Sequence, residues 1–97
     1  MDRIEFAPEA VDDLASLRKY DQRRVVVEIE AQLRHEPTRI TRNRKQLRPN
    51  RLAGWELWVD AFRVFFDVSE TDGIVRVVAI GSKSGNDLFI RGEEYEL

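Results

Sequence analysis

The stretch WELWVDAFRVFFDV, residues 55–68, decides the fold class. Its apolar residues recur with period two, which is the spacing of a strand and not of a helix. Trp55, Leu57 and Val59 point one way; Glu56, Trp58 and Asp60 point the other. In the next run Phe62, Val64, Phe66 and Val68 form one face, and Arg63, Phe65 and Asp67 form the opposite one. Two strands so close in sequence pair antiparallel.

Downstream, the pattern continues. Residues 70–73 (Glu-Thr-Asp-Gly) read as a turn, and Ile74 to Ile80 as a nearly continuous apolar strand broken by Arg76. Residues 81–86 read as a loop, Leu88 to Ile90 as a last strand, and Glu93 to Leu97 as an acidic tail. Upstream, Arg3 to Phe6 alternates and forms a short first strand. Pro8 suits a first helical turn, and Val11, Leu14 and Leu17 give that helix an apolar stripe reaching about Tyr20. Asp21 is a natural N-cap for a second helix striped by Val26, Ile29 and Leu33, with Val25 beside it. That helix stops near His35, because Pro37 disfavours helical geometry at Glu36. The predicted class is α+β: an N-terminal strand and a helical hairpin packed on a twisted antiparallel sheet, in one domain spanning 1–97.

Composition narrows the chemistry. No cysteine and only one histidine are present, so thiolate nucleophiles, disulfides and imidazole metal sites are not expected, nor is a cofactor. No apolar run is long enough to span a bilayer, and the chain reads as soluble and cytoplasmic. His35 reads as a cation near a helix C-terminus.

Charge is unevenly placed. Residues 37–58 carry six Lys/Arg (Arg39, Arg42, Arg44, Lys45, Arg48, Arg51) against Glu56 alone, whereas the flanking segments are acidic and the whole chain is at −2. A local phosphate site fits this distribution better than general polyanion binding. If the Leu57–Val64 face meets the helices, then Glu56, Trp58, Arg63 and Phe65 lie on the free face beside the basic segment. Arginine forks onto phosphate and an aromatic ring stacks on an exposed base.

The element order, together with NRKQLR (43–48), WEL (55–57), FRVFFDV (62–68) and AIGSKSGNDLFI (79–90), resembles the RelE/ParE superfamily of toxins from bacterial toxin–antitoxin pairs over essentially the whole chain. The resemblance implies a cognate antitoxin as partner and a homodimer or toxin–antitoxin hetero-oligomer as assembly. It implies an mRNA interferase that cleaves ribosome-bound mRNA by attack of the 2′-hydroxyl on the adjacent phosphate. The alternative it implies is a non-nucleolytic protein, either a DNA gyrase inhibitor of the ParE type or an inactive toxin. Carried over by position, Arg63, Lys45, Arg48 and Lys83 hold phosphate charge and Glu56 is the candidate base. Arg42, Arg44, Arg51, Trp58 and Phe89 are the candidate RNA contacts. Phe89 stands where RNA-cutting members often place tyrosine or histidine, and Glu56 and Trp58 stand where ribosome-dependent members use two lysines.

Overall fold

A computed structural model describes residues 2–97. The order is β1 (Arg3–Phe6), α1 (Pro8–Ala15), α2 (Lys19–Leu33), β2 (Arg44–Gln46), β3 (Trp55–Val59), β4 (Phe62–Ser69), β5 (Ile74–Ser84), β6 (Asp87–Ile90) and β7 (Glu93–Tyr95). Strands β2 to β7 lie in sequence order, each antiparallel to the next. The expectation of a wholly antiparallel sheet is corrected at one place: β1 pairs parallel with β5. β1 and β6 share one edge of β5, the first along Ile74–Val77 and the second along Ser82–Ser84. Both helices pack on one face, and no helix among the described residues is long and apolar enough to cross a membrane.

The strand alternation sorts two cores. On the helical side Leu57, Val59, Val64, Phe66, Val75 and Val77 meet Val25, Ile29 and Leu33 of α2 and Ala10 of α1. The α2 stripe is therefore Val25–Ile29–Leu33, a clean i, i+4 series, and Val26 is only half-buried. On the other side Phe65, Ala79, Leu88 and Ile90 form a second core with Ala53, covered in part by Leu47, Leu52 and Tyr95. Phe65 is thus fully buried, not part of an open surface as its strand position suggested. Burying two Phe side chains on opposite faces of β4 is worth about 1.5–3 kcal/mol each.

The helices depart from expectation at their ends. α1 stops at Ala15, and Ser16 closes it by donating its hydroxyl to the Asp13 carbonyl at 2.7 Å. Arg18 is extended (ψ 152°) and serves as the N-cap residue of α2, so Asp21 lies inside the first turn and accepts from Arg18 Nε at 3.3 Å. The buried face of α1 is set by Ala10 and Asp13, which leaves Val11 51% exposed.

β5 runs on to Ser84, through residues that read as a loop, because β4 and β6 flank it there. Gly81 permits this: a Cβ would come within 2.7 Å of the Phe89 carbonyl oxygen and 2.8 Å of Ile90 Cγ1. The basic segment contains a short edge strand, β2, and the acidic tail contains β7.

Candidate functional site

Cross-strand partners share a face of a sheet. Lys45 pairs with Glu56, Glu56 with Phe65, Trp58 with Arg63, and Lys83 with Leu88, which in turn pairs with Tyr95. All therefore stand on the face away from the helices. Lys45, Glu56, Trp58, Lys83, Leu88 and Tyr95 line a cleft of about 280 Å³.

Within it, Glu56 is 5% exposed. Its Oε1 accepts the Trp58 indole N–H at 2.6 Å and lies 3.8 Å from Lys45 Nζ. Its Oε1 is thus satisfied by one neutral donor and one cation, while Oε2 has neither. Glu56 is not the exposed strand carboxylate that alternation suggested. Trp58 is 40% exposed and carries two cations against its ring, Lys45 Nζ at 5.6 Å and Arg63 Cζ at 4.6 Å from the centroid. The indole is the hub of the site: it fixes Glu56 through its N–H and gathers both cations by its π-system.

Arg63 neither enters the helical core nor lines the cleft. Its Nη1 donates to the carbonyls of Asp60 and Phe62, both at 2.8 Å, and its Nε is buried without an acceptor. The guanidinium is folded over its own β-turn, which Asp60 makes with φ 54°. Lys83 is the freer cation, with only a long contact of 3.5 Å from Nζ to the Asn86 carbonyl among the described residues.

The remaining cations separate. Arg48 and Arg51 line a second depression, of about 440 Å³, with Asn50 and Asp67. The loop that carries them is tied by Asn50, whose Nδ2 donates to the carbonyls of Arg48 (2.7 Å) and Ala53 (2.9 Å), and whose Oδ1 accepts from Leu52 and Ala53 N–H groups. Gly54 N–H donates to Asp67 at 2.7 Å and closes the loop onto β4. Arg42 is exposed in the turn before β2.

Two expected surface contacts are corrected. Arg44 is 7% exposed and pairs with Leu57 on the helical side, where its Nη1 donates to the Glu36 carbonyl at 2.6 Å. Burial, and secondarily Arg39, holds its pKa below the ordinary guanidinium value, with Glu36 opposing. It is a structural cation anchoring the segment after α2. Phe89 pairs with Ser82 and stands beside Leu17 and Phe62 in a groove on the helical face, on the opposite side of the sheet from Trp58. Tyr95 is the cleft residue that sequence reasoning missed. The signal was Arg91-Gly92, a two-residue turn after Leu88–Ile90 that folds residues 93–95 back onto β6.

Residues 4–86 match the family model described as ParE toxin of type II toxin-antitoxin system, parDE. No curated protein sequence matches the chain. Among solved structures, the fold is similar to a chain of the toxin–antitoxin complex RelBE2 from Mycobacterium tuberculosis, with a TM-score of 0.68 at 20% identity over 84% of this chain and 98% of that one. It is also similar to a chain of the archaeal RelE–RelB complex from Pyrococcus horikoshii OT3, with a TM-score of 0.70 at 19% identity over 87% of this chain and 97% of that one. At these identities the likeness is one of fold.

Proposed function

Since the chain belongs to the ParE toxin family of type II toxin–antitoxin systems, within the RelE/ParE superfamily, we propose that it arrests growth by binding a target, in the manner of gyrase inhibitors, and not by cutting RNA. The carrying observation is the state of Glu56. A general base turns a lone pair toward the proton it takes, whereas this carboxylate is 5% exposed with its Oε1 held by Trp58 Nε1 and Lys45, which leaves Oε2 as its one uncommitted oxygen. Two further features support the reading. Arg63 spends its Nη1 on backbone carbonyls, and Phe89 stands on the far face of the sheet from the cleft. The cleft cations Lys45 and Lys83, with the half-exposed Trp58, then act as a recognition surface for an anionic or aromatic element of the target.

A supercoiling assay with purified DNA gyrase tests the choice of target. Inhibition by the toxin, relieved in Lys83→Ala, is the expected result; full supercoiling at every toxin concentration counts against it.

Cleavage of ribosome-bound mRNA is the second reading. One observation favours it: Lys45, Lys83, Glu56 and the Tyr95 phenol line a single cleft. Two cations and two titratable groups are the inventory that 2′-hydroxyl attack requires. In either case the partner in the cell is a cognate antitoxin, in keeping with the toxin–antitoxin complexes that share the fold. The exposed Tyr20 and Val27 of α2, flanked by Arg23 and Arg24, offer it an apolar and basic groove.

A further inference from the structure

Asp13 takes no part in the cleft. It lies on α1, across the sheet, with a side chain only 2% exposed. Its Oδ2 accepts from two donors, the Ile80 backbone N–H at 3.0 Å and Arg91 Nη1 at 2.7 Å, while Oδ1 is buried without a partner. The Ile80 bond has a topological cause. β1 occupies that edge of β5 up to Val77 and β6 begins at Ser82, so Ile80 falls in the gap and the carboxylate replaces the missing strand.

The Arg91 bond has a different cause. Arg91 and Gly92 are the two residues of the β6–β7 turn, closed by the pairing of Ile90 with Glu93, and their φ values are 52° and 79°. Left-handed geometry at both central positions is the turn that suits the twist of a hairpin, and it favours Asn, Asp or Gly at the first. Arginine is a poor backbone choice there. Its guanidinium, however, is the one that compensates the buried Asp13 charge, and this contact offsets the unfavourable backbone.

That turn delivers Tyr95. The phenol-bearing residue pairs with Leu88, packs against the second core as Leu47 and Leu52 do, and with Glu96, Leu97 and Trp58 lines the cleft. β7 has three residues and pairs with β6, so its position rests on that short ladder, on the packing of Tyr95 and on the turn that starts it.

We propose that Asp13 and Arg91 are positioning residues for the cleft: their ion pair locks the Arg91–Gly92 turn and so holds Tyr95 in place, coupling α1 on the helical face to the site on the opposite face. The clamp stands on geometry alone; its importance for toxicity rests on reading the cleft as the functional site.

Amide hydrogen exchange and the two indole N–H signals in NMR spectra test it. Arg91→Gly suits the turn but strands a buried carboxylate, so it is combined with Asp13→Asn, whose side-chain oxygen still accepts from Ile80. Exchange at Glu93–Tyr95 should quicken roughly tenfold or more in this double variant. The Trp58 indole signal should shift, while Trp55, stacked on Phe66 in the helical core, and the β4 amides stay unchanged. Arg91→Lys should keep the wild-type pattern. Unchanged β7 exchange and an unchanged Trp58 signal in the folded double variant would overturn the clamp, as would a loss of protection equal throughout the sheet. Faster β7 exchange with undiminished growth arrest supports the clamp and counts against the cleft as the functional site.

Discussion

Trp58 Nε1 donates to the buried carboxylate of Glu56 at 2.6 Å, and this bond links the most exposed aromatic group of the cleft to its least exposed charge. It gives the pair a structural role that Glu56→Gln preserves, since the amide oxygen accepts the same indole N–H. Growth arrest by Glu56→Gln, read as colony counts after induction, should therefore equal the wild type. A catalytic base would lose nearly all activity on the same change.

Lys83 separates recognition from stability. Its side chain makes only one long contact, so Lys83→Ala should change stability by less than about 0.5 kcal/mol, within a few degrees in Tm. Toxicity should nonetheless fall. A folded Lys83→Ala protein as toxic as wild type would remove this lysine from the recognition surface.

Arg44 and Arg42 are two residues apart and should behave oppositely. Arg44→Ala deletes the hydrogen bond to the Glu36 carbonyl, which keeps the Arg39 N–H, and the buried packing of the side chain, at about 0.5–1.5 kcal/mol by urea denaturation. Arg42→Ala, at an exposed position, should leave the midpoint where it was.

The reason the sequence did not separate these two arginines is physical. β2 has three residues, too few for a period to show, and the run of cations around it hides the one that turns inward. The longer strands were legible because alternation over Trp55–Val59 and Phe62–Ser69 assigns each side chain to a face without ambiguity. Alternation gives the side but not what covers it. Phe65 was placed on the correct face, and its burial depends on Ala53, Ala79, and Leu88 with Ile90, which arrive from three other segments. Likewise nothing local marks Asp13 as a buried carboxylate; its partner Arg91 is 78 residues away, beyond any local pattern.

Stability should also depend on pH through Glu28. Hydrogen bonds from Gln32, and then from Arg24, hold its pKa below the ordinary value of 4.5. A carboxylate depressed in the native state adds stability above its unfolded pKa and loses it as pH falls through the folded one. Wild type should therefore exceed Glu28→Gln by about 0.5 kcal/mol near neutrality, with the gap closing in acid below the usual carboxylate range. Urea midpoints of both proteins across that interval check the sign; a gap that widens in acid would refute it.

The central claim, that arrest comes without RNA cleavage, is tested most directly by mapping RNA 5′ ends in cells arrested by the toxin in the absence of its antitoxin. The account predicts the same ends as in uninduced cells. New ends within coding sequences, appearing with the wild type and missing with Glu56→Gln, would contradict it.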